Sequence, residues 1–410
     1  MVTTRRLSRR GSIEIPGCGY SVTTQYGAEA PKLSGDNVGS DPTPRLVHLG
    51  IVGDPKTSIV AQWRTADETT TKTEIRYAEG ANLAADQLTK TAKGIHFRYA
   101  GTGTDLFHMH QAHLCGLAPA TTYSYQVGAG NAWSPVYTFH TAPDVGANPD
   151  AEVVFGFVGD SRGGYDVWAQ LAAQIQMRAP DLVLFSGDAT TIGITQDEWE
   201  EWFAAAEPLL ATVPVVPTNG NHEANAINFY SQFAMPGDQQ NFGFDYGFAH
   251  IFVANDTPDD PSALTGATPA AIDADFTAHE NARWKLLMHH RPMWSSGTRH
   301  GSDLTLQASW GPIVDKHHLD LVLNGHEHMY ELSYPLLGGQ VQASAATGTV
   351  YVVAGGAGAE LYGWMTPGFW SQYIEMTHTA AMLHVRGSQL TMDSFHADGS
   401  AVPGGFSKSK

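Results

Sequence analysis

Only two cysteines, Cys18 and Cys115, occur in 410 residues. Two thiols so far apart make neither a zinc-finger cluster nor a CxxC redox pair. Two readings stay open: free thiols, or one disulfide tying the N-terminal extension to the first domain, as suits an exported protein. No run of about 18 apolar residues is present, so no segment reads as a membrane helix. Basic residues are scarce too, 23 Lys and Arg against 41 Asp and Glu, giving a formal net charge of -18. That argues against general binding to nucleic acid or anionic lipid, which needs basic patches. It also repels anionic substrates at long range, so a phosphate site must bring its own positive charge. Arg5, Arg6, Arg9 and Arg10 look like the basic start of a secretion signal, but no apolar stretch follows them.

What is present is a chain too long for one ordinary core, 42% hydrophobic and 16% charged, which predicts two domains. Residues 1–44 are polar, rich in Gly, Ser and Pro, and read as an extended or loosely docked extension. Over 45–143, short runs of period two separated by turn residues predict an all-β sandwich. A linker at 143–149 follows. From 150 to 400 the pattern changes to apolar strands alternating with helices, which predicts an α/β domain whose sheets are flanked by helices. Within it Thr195-Gln196-Asp197-Glu198 reads as a capping box. Residues 401–410 read as a tail.

Five of the apolar strands end in the same kind of chemistry. The ends are Gly159-Asp160, Gly187-Asp188, Asn219-Gly220-Asn221-His222-Glu223, His289-His290-Arg291-Pro292 and Asn324-Gly325-His326-Glu327-His328. Functional groups of open α/β sheets gather at the carboxyl ends of strands. Carboxylate, amide and imidazole donors are the sort that hold zinc, iron or manganese. One Gly-Asp is a worthless signal; five such ends in this order are a strong one.

This ordered set resembles the calcineurin-like metallophosphoesterases and, within them, the purple acid phosphatases. Pro44-Arg45-Leu46-Val47-His48-Leu49 and the run from His113 to Tyr123 are similar to segments of that family's fibronectin type III-like N-terminal domain. The resemblance implies two metal ions, iron, zinc or manganese. Asp160, Asp188 and His328 would hold the first, and Asp188 would bridge to the second, completed by Asn221, His290 and His326. His222 would contact the substrate or protonate its leaving group. His289 reads as packing or support. Two ions would lower the pKa of water, so that a metal-bridging hydroxide attacks phosphorus.

The match departs from the family at two points. The purple members carry Gly-Asp-x-x-Tyr with an iron-binding tyrosine; Thr191 stands at that position here. Relatives outside the purple group use Asp-x-His; Arg162 stands at that histidine, and a guanidinium does not ligate metal. The first metal therefore has three obvious ligands, and the protein is expected not to be purple. Arg162 reads either as a fork for phosphate oxygens or as the partner of a nearby carboxylate such as Asp166. His300, Trp294 and Tyr362 read as rim or packing, and Asp256 as a site-lining or turn residue. The expected activity is hydrolysis of small phosphate esters, most simply monoesters. The alternatives are diesters or triesters at the same site, or a degenerate binding protein. A secreted or periplasmic location is implied by the resemblance alone.

Overall fold

The period-two runs of the first half of the chain do form strands, but central ones such as Ser58–Thr65 are buried on both faces. The computed structural model describes residues 11–24, 38–67, 69–100, 106–364 and 366–410; the basic run at Arg5, Arg6, Arg9 and Arg10 lies outside the described residues. One sheet runs Arg45–Gly50, Ser58–Thr65, Leu106–Cys115, Ile95–Ala100. A second is built on Thr122–Ala129, which pairs with Ala132–Trp133, Glu74–Glu79 and Tyr137–His140, with Lys90–Lys93 beyond Glu74–Glu79. Val47, Leu49, Trp63, Ile75, Tyr125 and Phe139 fill the core of this β-sandwich. Trp63→Ala there should cost about 3–5 kcal/mol.

Part of the extension is ordered, contrary to the loose segment expected. Gly11–Ile15 and Tyr20–Thr24 form an antiparallel hairpin. Cys18 in its turn is disulfide-bonded to Cys115. The Tyr20 hydroxyl lies 2.9 Å from His113 Nδ1.

The chain folds into two compact units that are not contiguous in sequence. The first takes in the described residues up to Asp144 together with Ile192–Val216 and Asn225–Gln239. Helix Gln196–Leu210 lies in this unit, against Arg45–Gly50. Glu200 on that helix receives Arg64 Nε at 3.0 Å and Arg45 at 2.5 Å, and Tyr125 donates to the Ala211 carbonyl at 2.7 Å. The helix does start after Thr195, but Thr195 makes no side-chain cap. Its hydroxyl is buried without a partner among the described residues, so the capping box is not formed.

The second unit comprises Val145–Thr191, Pro217–Ala224 and Gln240–Lys410. A mixed sheet runs Val215–Pro217, Leu182–Phe185, Glu152–Val158, Thr379–Arg386, Gln389–His396, Ala401–Ser409. Its last strand is the segment expected as a tail. Gln389–His396 pairs with it, and the buried Lys408 reaches Asp320 at 2.8 Å. A seven-stranded sheet runs Phe242–Tyr246, Ala249–Val253, Trp284–Met288, Leu321–Asn324, Val350–Ala354, Tyr330–Ser333, Ser371–Glu375. Its four strands from Ala249–Val253 to Val350–Ala354 are parallel. Helix Ala267–Ala278 and the short helices Leu304–Ser309 and Gly311–Lys316 cover this sheet through Ile272, Phe276, Leu306, Trp310 and Val314. Among the described residues no helix is long and apolar enough to cross a membrane.

Candidate metal centre

The turns after all five motif-bearing strands converge in the second unit. The turn after Glu152–Val158 is laced to the turn after Leu182–Phe185 by main-chain bonds: Asp160 N–H to Gly187 (2.9 Å), Ser161 N–H to Asp188 (3.1 Å) and Arg162 N–H to Asp188 (3.2 Å). Asp160, Asp188 and His326 all sit in the left-handed region, at φ 62°, 56° and 70°. Such backbone costs energy for most residues and gathers at functional sites. Neighbouring glycines make room for them. A Cβ on Gly220 would lie 2.2 Å from Asp188 Oδ1, and one on Gly325 2.1 Å from Asp160 Oδ2.

The donors form two buried clusters that share Asp188. One is Asp160, Asp188 and His328; the other is Asp188, His290 and His326. Main-chain carbonyls set the tautomers. His290 Nδ1 donates to Ser186 O at 2.8 Å, and His328 Nδ1 donates to Glu360 O at 2.6 Å. Each ring therefore turns Nε2 inward as a lone pair, the arrangement that orients metal-binding imidazoles. His290 Nε2 lies 3.0 Å from Asn221 Oδ1, 3.1 Å from His326 Nδ1 and 3.3 Å from Asp188 Oδ1. With Nδ1 committed to a carbonyl, Nε2 faces two oxygens, Asn221 Oδ1 and Asp188 Oδ1, that can only accept, and a cation between them relieves that clash. In the metal-free protein that cation is a proton on His290. Burial opposes it, but Asp188 and Asp160 outweigh burial and lift the imidazole to about 10. Burial, then His290, pushes His326 down to about 2, and burial pushes His328 down to about 3. Both rings thus keep lone pairs to offer. Burial, opposed by His290 and reinforced by Asp188, raises Asp160 well above the usual carboxylate range. Two such clusters with one shared carboxylate fit a pair of ions.

His222 sits at the margin of this centre. Its Nδ1 donates to the main-chain oxygen of Thr191 at 2.7 Å, its Nε2 is 3.8 Å from Asp188 Oδ2, and its N–H donates to Asp188 Oδ1 at 3.0 Å. Arg162 points the same way, with Nε 3.8 Å from Asp188 Oδ2 and Nη2 donating to the Tyr362 hydroxyl at 3.0 Å. No ion pair joins it to Asp166 among the described residues. His289 turns away, its Nδ1 3.1 Å from Asp256 and its ring against Trp310.

Sequence reading missed three supports. Glu223 was visible in its motif but had no role. Its carboxylate accepts from the N–H groups of Asp188 and Gly220 at 2.8 Å and of Thr190 at 3.2 Å. Burial, with Asp188 beside it, raises it to about 7. Glu327, between His326 and His328, accepts from Gly301 N–H at 2.6 Å. Tyr362, expected as rim or packing, stacks on His328; only its distance from the motifs in sequence concealed it.

A third cluster, Asp245, His250 and His279, has donor atoms as close together. Its two imidazoles stack at 3.8 Å and 15°. Planes so nearly parallel do not meet at one ion, and both His250 nitrogens already face carboxylates.

The α/β unit with paired clusters at strand ends defines a metal-dependent hydrolase. Residues 44–141 match the purple acid phosphatase N-terminal domain, and residues 153–330 match the calcineurin-like phosphoesterases. Human acid phosphatase type 7 is 27% identical over 77% of this chain and 78% of its own length. Probable inactive purple acid phosphatase 1 of Arabidopsis thaliana is 25% identical over 62% of this chain and 49% of its own. The structure of purple acid phosphatase PPD1 from yellow lupin seeds superposes with a TM-score of 0.77 at 18% identity, covering 90% of this chain and 74% of that one. The chain belongs to the calcineurin-like phosphoesterases of the purple acid phosphatase type, phosphoester hydrolases with a binuclear metal centre.

Proposed function

We propose that the protein hydrolyses small phosphomonoesters, with Asp160, Asp188 and His328 holding one ion and Asp188, Asn221, His290 and His326 the other. The observation that carries this reading is the meeting of Asn221 Oδ1, Asp188 Oδ1 and His326 Nδ1 around His290 Nε2. Zinc, iron or manganese suits the mixed oxygen and imidazole donors. Bound there, two such ions supply Lewis acidity and an activated water. The chain's own residues do the rest. Asp188 orients both halves. Arg162 brings a cation to the phosphate oxygens that the acidic surface would otherwise repel. His222, its ring fixed by the Thr191 carbonyl, acts as the imidazolium: it gives the Nε2 proton to the leaving oxygen and keeps the Nδ1 proton. The relatives named as acid phosphatases support monoesters as substrates.

A second reading, less charged diesters or triesters, is favoured by the first cluster, which has three donors where purple members add a tyrosine. Relatives named as probably inactive keep a binding role on the same scaffold as the remaining alternative. The Cys18–Cys115 bridge supports an oxidising compartment, hence export. The test is elemental analysis of protein grown with all three metals, followed by rates on aryl phosphates with one, two and three ester bonds. Two ions per chain and fastest turnover of the monoester are expected. Protein that neither holds metal nor gains activity when metal is added would sink the reading.

A further inference from the structure

The loop that follows the seven-stranded sheet's Val350–Ala354 strand is tied to the centre by its main chain. Ala357 N–H donates to Gly159 at 2.9 Å, Ala359 N–H to Asp160 at 3.0 Å and Tyr362 N–H to His328 at 2.9 Å. This places the Tyr362 ring flat on the His328 imidazole, with centroids 4.0 Å apart and planes 14° apart. Two rings stacked that way put the phenol oxygen out of the plane in which His328 binds an ion, by nearly the stacking distance. A ligand bond is only about 2 Å long, so Tyr362 does not replace the missing tyrosine ligand. Its hydroxyl instead accepts from Arg162 Nη2 at 3.0 Å. A hydroxyl that accepts one bond still has its own proton to give, and no other hydrogen-bond partner for it occurs among the described residues. Arg162 Nε is likewise buried without a hydrogen-bond partner there. The Arg299 guanidinium lies over the same ring, 5.6 Å from its centre.

We propose that Tyr362 is a substrate-contacting residue: its O–H and the Arg162 guanidinium form one paired donor set for two non-bridging phosphoryl oxygens. This rests on the reading of the site given above and narrows it. A triester offers the two donors a single, uncharged non-bridging oxygen to share, whereas a monoester offers three that carry its negative charge, and charge-assisted bonds are the stronger. The pair therefore selects monoesters and, more weakly, diesters.

The probe is inorganic phosphate, titrated calorimetrically into the metal-loaded full chain, with metal content measured on every sample. Tyr362→Phe keeps the stack on His328 and removes only the hydroxyl. It should retain both ions and weaken phosphate binding about 10–100-fold, the range for a hydrogen bond to a charged group. Arg162→Ala should weaken it at least as much. The double variant should be no more than about twofold worse than Arg162→Ala, since two groups acting as a unit are non-additive. Wild-type affinity in Tyr362→Phe, losses that multiply in the double variant, or loss of an ion from Tyr362→Phe would each overturn the proposal. Failure of the wild type itself to hold metal and phosphate would overturn the underlying reading as well, and that is seen before any variant is compared.

Discussion

The main-chain oxygen of Thr191 holds Nδ1 of His222 at 2.7 Å. At the position where the purple acid phosphatase pattern has a tyrosine, this chain offers a peptide carbonyl that fixes the His222 ring; on the proposed reading, that ring is the proton donor. With Nδ1 committed to the carbonyl, Nε2 is the atom left to face Asp188 and any substrate.

His222→Ala should therefore lower kcat by about 10²–10⁴-fold, the usual range for general acid help, while both ions stay bound. Steady-state rates and elemental analysis on the same samples check this. Unchanged kcat, or metal lost along with activity, would refute the role.

The iron-loaded protein should be colourless or pale. Thr191 cannot supply a tyrosinate, and the stacked Tyr362 ring is held out of bonding distance. A visible absorption spectrum decides the matter; an intense tyrosinate-to-iron band would show that one of the tyrosines moves in to bind.

Glu223→Ala should destabilise the fold by roughly 3 kcal/mol or more. It strands the buried N–H groups of Asp188, Gly220 and Thr190, each worth about 1–3 kcal/mol when left unpaired. It should also reduce metal content, because Asp188 loses the anchor of its left-handed turn. Denaturant unfolding with and without added zinc separates the two effects.

His250 makes stability depend on pH. Burial opposes its charge, but Asp245 and Asp275 raise it from 6.5 to about 9. His279 and Phe276 pack on the same ring. A folded pKa above the unfolded one contributes stability that is complete below about 6.5 and is lost as pH rises through about 9. Unfolding free energy measured from pH 6 to 10 should fall across that window, and the fall should be smaller in His250→Gln. Parallel curves for the two proteins would contradict it.

Much of this centre was legible because strand-end chemistry is local in sequence. Gly-Asp, Asn-His and His-x-His announce themselves within a few residues, and Asp160, Asp188, His290, His326 and His328 do meet in the two buried clusters. The supports were not legible, for the opposite reason. The Ser186, Glu360 and Thr191 carbonyls that fix three imidazoles are main-chain atoms without a residue signature. Tyr362 reaches Arg162 across 200 positions. In the fold, the apolar strands were legible as unbroken apolar runs just ahead of the motifs, as at Leu182–Phe185 and Trp284–Met288. The final strand Ala401–Ser409 was missed because Pro403, Gly404 and Gly405 hide a strand whose stability comes from pairing with Gln389–His396.

Left-handed backbone at Asp160, Asp188 and His326 also limits how such a centre can diversify. Asp, Asn and His tolerate that conformation far better than branched or bulky residues do. At these three positions, point changes that keep the turn are confined to a handful of side chains. The Gly220 and Gly325 neighbours, with no room for a Cβ, cannot shift to compensate. New specificities in descendants of this scaffold should therefore arise in the loops that frame the pocket, with the ion-holding positions handed down almost unaltered.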